Sequence, residues 1–272
     1  MNEMKSGKID SNDQKLYYEV HGEAYPLVLI MGIGYDATLW DLYQVPAFSQ
    51  EYQVITFDNR DVGRSSKATR PYTIADMADD VVGLLDILDV ERTHVLGLSM
   101  GGMIAQEFAL RHPERLDKLI LTGTGAGTGR AKFDPITIWS FVKKHDKEGM
   151  IFAAQQCLWL FSTDFLRNHQ AVDETLAMLG NNPNPISPEA YERQANAYVK
   201  HDSLDRIGMI KAQTLVVTGE RDRVTPPWIG RELADGIPGA KFHLVKGAGA
   251  SHVLPLERPE DFNKVVLSFL KA

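Results

Sequence analysis

The sequence predicts an α/β fold, with a mostly parallel sheet covered by helices on both faces and one helical insert. Two observations point there. Short apolar, β-branched runs alternate with helical periodicities along most of the chain, and such alternation implies parallel strands joined by crossover helices. The rhythm then stops between about Gly127 and Lys211, where no strand pattern occurs and aromatic residues collect.

Taken in order, Lys15 to Val20, Leu27 to Met31, Gln53 to Phe57, Thr93 to Leu98, Lys118 to Gly123, Gln213 to Thr218 and Ala240 to Val245 read as strands. Thr73 to Leu88 sets Ile74, Met77, Ala78, Val81, Leu84, Leu85 and Leu88 on one face and predicts an amphipathic helix. The strandless stretch holds Phe133, Trp139, Phe141, Phe152, Trp159, Phe161 and Phe165, with Asn181 to Pro185 as a turn-rich interruption. Most of these aromatics are expected to form the insert's own small core. Two or three are expected to line a ligand pocket, Trp159 first, with Trp139 and Phe161.

Gly97-Leu98-Ser99-Met100-Gly101 is a G-x-S-x-G pattern set between a strand run and a helical run, in which Met103, Ile104, Ala105, Phe108 and Ala109 recur. That setting predicts a sharp strand-to-helix turn that lifts the Ser99 hydroxyl clear of the sheet. A serine nucleophile needs a base and an acid to orient that base. Asp222 stands in the loop after the Thr214 to Thr218 run, and His252 in the loop after Ala240 to Val245. Three catalytic side chains at the carboxyl ends of parallel strands is where open α/β sheets build their sites.

These segments resemble the α/β-hydrolase superfamily. The resemblance runs from about Leu16 to the C-terminus apart from the insert. Its markers are Asp58 to Ser65, the Ser99 elbow, His112 to Leu116, the Asp222 loop, and His252 followed by Glu257 to Phe262. Within the superfamily the chain is similar to small esterases, enol-lactonases, acyl-homoserine lactonases and cofactor-free perhydrolases. The resemblance implies a mostly parallel eight-stranded sheet with a helical cap inserted after the sixth strand. It divides the chain into a core of residues 1–126 and 212–272 and a cap of 127–211. It also implies an oxyanion hole from the backbone N–H groups of Ile33 and Met100, with Gly32 against the substrate. Two departures stand out. Met31-Gly32 replaces the family's usual His-Gly, and Gly249-Ala250-Ser251-His252 is two residues longer than the usual approach to the histidine.

Composition narrows the function classes. The 272 residues allow one or two domains, and a net charge of −7 argues against nucleic acid and anionic membrane surfaces. One cysteine, Cys157, permits no internal disulfide. Met1 to Asp13 is polar with no apolar signal segment, and no apolar run reaches membrane-spanning length, so a cytoplasmic enzyme is expected, as monomer or homodimer. No P-loop, H-E-x-x-H or paired C-x-x-C occurs, and no metal or cofactor is expected. His94 and His243 read as structural, and Asp58 and Arg60 as loop braces. The expected chemistry is hydrolysis of a small, largely apolar carboxylic ester or lactone through an acyl-serine. A perhydrolase, a carbon–carbon bond hydrolase and a ligand sensor on the same fold are the alternatives.

Overall fold

Eight strands form, β1 (Lys5–Ser11), β2 (Gln14–His21), β3 (Pro26–Ile30), β4 (Gln53–Phe57), β5 (Thr93–Leu98), β6 (Leu116–Thr122), β7 (Gln213–Gly219) and β8 (Lys241–Val245). They make one sheet in the order β1-β2-β4-β3-β5-β6-β7-β8. β1 pairs antiparallel with β2 and β2 with β4, and every pair from β4 to β8 is parallel. The computed structural model describes residues 5–127 and 134–272, so Phe133 lies outside the described residues.

The sheet's two faces follow from the two-residue period of a strand. Leu29, Leu96, Ile120 and Leu215 are successive partners across β3, β5, β6 and β7, and all four join one core cluster. Their neighbours Val28, Val95 and Leu119 join the cluster on the other face. All six residues of β5 are buried, as a strand at the centre of a two-sided sheet must be.

The strand β1 was not predicted. Lys5-Ser6-Gly7-Lys8-Ile9-Asp10-Ser11 is polar, and only Ile9 and Ser11 are buried. An edge strand covered on one side needs little apolar content, and its ladder to β2 supplies the rest.

Helices α1 (Thr38–Asp41), α2 (Gln44–Phe48), α3 (Ile74–Ile87) and α4 (Met100–Arg111) precede β6. Thr73 starts α3 with a capping box: its hydroxyl accepts the Asp76 N–H at 3.2 Å, and the Asp76 carboxylate accepts the Thr73 N–H at 2.7 Å. The apolar stripe Ile74, Met77, Ala78, Val81, Leu84 and Leu85 is buried as the periodicity requires. α4 is buried from Met100 to Ala109, since it is held between the sheet and α3.

Between β6 and β7 lie α5 (Pro135–His145), α6 (Met150–Leu160), α7 (Thr163–Leu166), α8 (His169–Gly180) and α9 (Pro188–Lys200). The aromatics of this insert divide by role. Phe152 stands edge-on to Tyr191 at 5.2 Å, Phe161 stacks on Phe165 at 4.2 Å, and Phe141 is exposed. The chain closes with α10 (Pro227–Gly236), α11 (Leu254–Glu257) and α12 (Pro259–Lys271). Among the described residues no helix is long and apolar enough to cross a membrane.

Candidate active site

Strand order reverses at β3, where the chain runs from β4 on one side to β5 on the other. Open α/β sheets bind ligands outside the carboxyl ends of their strands at such a switch point. Ser99 follows β5 there. It adopts φ 56° and ψ −120°, a conformation that costs a residue with a side chain roughly 1–3 kcal/mol. The turn persists because its surroundings over-determine it. The Ser99 N–H donates to Thr122 O at 2.9 Å, and Ser99 O accepts from Gly102 N–H at 2.9 Å. A Cβ at Gly97 would stand 2.3 Å from Gly101 O, and one at Gly101 would stand 2.1 Å from Ile30 O. Neither position tolerates a side chain without opening the elbow.

Asp222 and His252 stand in the loops after β7 and β8. His252 Nδ1 lies 2.9 Å from Asp222 Oδ2, and both residues are buried. A carboxylate only accepts, so Nδ1 carries the proton and Nε2 is left as the basic nitrogen. The carboxylate is fixed on both oxygens. Oδ1 accepts the N–H groups of Val224 at 2.9 Å and Thr225 at 2.8 Å, and Oδ2 also accepts the Thr225 hydroxyl at 2.7 Å. The longer approach to His252 folds across the end of β7, where Ala250 O accepts the Arg221 N–H at 2.8 Å. The two extra residues thus tie the histidine loop to the aspartate loop.

Ser99 and His252 open onto one largely apolar cavity. Gly32, Ile33, Trp139 and Phe161 line it, together with Leu39, Leu98, Leu160, Met178, Leu179, Val253 and Leu256, and Tyr35 and Thr175 add hydroxyls. Met100 begins α4, where a helix N–H has no intrahelical acceptor.

Trp159 is not among the lining residues and corrects the expectation placed on it. It is half-buried against the main core cluster, while its neighbours Leu160 and Phe161 face the cavity. One residue along a helix is a turn of about 100°, and on a helix as apolar as Met150 to Leu160 the sequence does not reveal which face looks inward.

Other predicted residues fall away from the cavity. Asp58 braces its loop by accepting from Ala37 N–H at 2.9 Å and Arg64 N–H at 2.8 Å, and Arg60 pairs with Asp80 at 2.7 Å. His94 sits among Tyr25 and Tyr52, where burial pushes its pKa down to about 4. His243 lies exposed on the edge strand β8. Glu19, His21 and Asp41 are the one described group close enough to hold a metal ion, but Arg64 already neutralises Glu19 at 2.6 Å.

Three contributors were given no role at the site from the sequence. Thr225 holds Asp222, and Gly123 leaves room for the His252 ring, 3.2 Å from where a Cβ would stand. Glu257 accepts from the N–H of Ser162 at 2.8 Å and its hydroxyl at 2.6 Å, fixing the cavity wall at Leu160 and Phe161 to the segment after His252. In the sequence Gly123 is one more glycine at a strand end and Glu257 only part of a family marker, while Thr225 leaves no signal.

Residues 25–259 match the family described as the alpha/beta hydrolase fold. The chain belongs to this family. The enol-lactonase from Burkholderia xenovorans LB400 superposes with a TM-score of 0.88 at 30% identity, over 98% of this chain and 100% of that one. Among relatives by sequence is the "Putative carbamate hydrolase RutD" of Caulobacter sp. (strain K31), 32% identical over 98% of each chain. The "Putative non-heme bromoperoxidase BpoC" of Mycobacterium tuberculosis is also 32% identical, over 93% of this chain and 97% of its own. This alpha/beta hydrolase therefore shares its fold with relatives named for different reactions.

Proposed function

We propose that this hydrolase cleaves a carboxylic ester or lactone of a small, largely apolar substrate through an acyl-serine. One observation supports the reading above all. The buried His252–Asp222 pair, 2.9 Å apart, opens onto the same apolar cavity as the strained Ser99.

The chemistry follows from those groups. Nε2 of His252 takes the Ser99 proton as Oγ attacks the substrate carbonyl carbon. Asp222 holds the imidazole tautomer and stabilises the imidazolium. The tetrahedral oxyanion is received by the N–H groups of Ile33 and Met100. His252 then returns the proton to the leaving alkoxide, which for a lactone stays attached to the acyl chain. Water, deprotonated by the same nitrogen, releases the acid and restores Ser99. Gly32 lies against the nucleophile, since a Cβ there would stand 3.2 Å from Ser99 Cβ. The substrate carbonyl thus sits between the two loops, with its acyl chain among Trp139, Leu160 and Phe161.

The enol-lactonase relative supports the ester and lactone class. The carbamate hydrolase relative favours a second reading, attack by the same serine on a carbamate carbonyl. Steady-state turnover of p-nitrophenyl esters, lactones and alkyl carbamates separates the two. Esters or lactones are expected to have the higher kcat/KM by at least tenfold. A preference for carbamates would overturn the ester reading. Single-turnover acylation with every substrate would return the protein to a ligand-sensing role.

A further inference from the structure

The oxyanion donor proposed at Ile33 belongs to the short loop Met31-Gly32-Ile33-Gly34 between β3 and α1. A backbone N–H is only as well aimed as the peptide planes beside it. Met31, which opens this loop, has a side chain that offers no hydrogen-bond donor. Two side-chain amides hold the loop instead. Asn59 Nδ2 donates to Met31 O at 3.0 Å, holding the plane before the donor's own. On the far side, the Gly34 N–H donates to Gln194 Oε1 at 2.9 Å.

Gln194 comes from α9, within the insert and 160 residues away in sequence, and is wholly buried. Its other end donates from Nε2 to Arg60 O at 2.9 Å, next to Asn59. A donor on one side and an acceptor on the other leave a single amide orientation that satisfies both. The helix also presses on the loop directly. Gly34 has φ +79°, and a Cβ on it would stand 2.8 Å from Tyr191 Cε2. Anchoring the helix alone would not require this amide. One turn face away, Arg193 grips Asp61 through two bonds of 2.6 and 2.9 Å without touching the loop.

We infer that Gln194 is a positioning residue for the oxyanion hole, holding the Ile33–Gly34 peptide so that the Ile33 N–H meets the developing oxyanion. The inference rests on the acyl-serine reading above. It makes the insert part of the machinery that speeds the chemical step, besides a cover for the substrate. Loss of the amide leaves substrate binding nearly intact and weakens transition-state stabilisation, because the donor is needed most when charge builds on oxygen.

The test compares Gln194→Met, Gln194→Glu and Arg193→Met in the full chain with a p-nitrophenyl ester, alongside Ser99→Ala. Gln194→Met, close in volume but without either polar group, is expected to lower kcat roughly tenfold to a hundredfold with KM within about twofold, less than the full loss of one oxyanion donor. Gln194→Glu keeps an acceptor for Gly34 and is expected to recover at least a third of the wild-type kcat, and this comparison stands if the Met variant does not fold. Arg193→Met is expected to lower Tm while keeping kcat. The inference is overturned if Arg193→Met matches the kcat loss of Gln194→Met, if Gln194→Met retains kcat, or if Gln194→Glu keeps less than a third. Ser99→Ala reports on the underlying reading separately: turnover that survives it removes the acyl-serine, whatever Gln194 does.

Discussion

In Asp222→Asn one acceptor oxygen becomes an NH2 donor and nothing in the loop changes size. The new amide keeps its carbonyl oxygen for the N–H groups of Val224 and Thr225, which stand 2.9 and 2.8 Å from Oδ1 of Asp222. The Thr225 hydroxyl, 2.7 Å from Oδ2, rotates to accept in place of donating. Only His252 has no easy adjustment. Its Nδ1, at 2.9 Å, now faces a donor and must become the acceptor, so the ring proton moves to Nε2. The nitrogen that should take the Ser99 proton then carries one. Loss of the correct tautomer costs about 10⁴ in kcat, equivalent to roughly 5 kcal/mol of barrier. Stability suffers less. The four bonds that the carboxylate accepts become neutral ones, but the cost of burying its charge is removed with them, so the net loss is about 1–2 kcal/mol. The assay is kcat on a p-nitrophenyl ester beside thermal unfolding, with the imidazole tautomer read by ¹⁵N NMR. A kcat within tenfold of wild type, or an Nδ1–H tautomer retained in Asp222→Asn, would refute the reasoning.

Two further outcomes are expected. If Trp139, Leu160 and Phe161 wall the acyl pocket, kcat/KM should climb with acyl length by roughly fourfold per methylene, about 0.8 kcal/mol each, until the cavity fills. Trp139→Ala should flatten that slope while sparing acetate esters, and a flat wild-type profile would remove the pocket assignment. His94 and His201 are both held neutral by burial, which lowers each pKa from 6.5 to about 4. Among the described residues, His94 Nδ1 and His201 Nε2 find no partner of the kind a charged ring would want. Between pH 6.5 and 4 the unfolded chain binds the more protons, so stability falls as pH drops through that window. Asp41, raised to about 6 chiefly by burial, works in the opposite direction. A urea midpoint lower at pH 5 than at pH 7 is expected, with the difference reduced in the His94→Gln, His201→Gln double variant. Equal midpoints for the wild type would contradict this.

How much of this could be read from the residues depended on local constraint. The elbow was legible because its glycines answer to contacts of 2.1 to 2.3 Å that no side chain survives. The loop of Asp222 was legible because it follows the buried strand β7, and that of His252 because it follows the alternating apolar pattern of the edge strand β8. β1 was not, since an edge strand with two buried residues looks like a polar tail. The face of α6 was not, since a helix apolar nearly all round gives no phase that would separate Trp159 from Leu160. Gln194 had no signal at all. One glutamine in an amphipathic helix looks solvated until the fold sets it between Gly34 and Arg60.

The central claim is that Ser99 carries the acyl group. Peptide mapping after treatment with a fluorophosphonate tests it most directly. One equivalent of label on Ser99, with both label and turnover absent in Ser99→Ala, is the predicted result. Label on Ser65, Ser66 or Ser251 with Ser99 unmodified, or ester turnover that persists in Ser99→Ala, would contradict it.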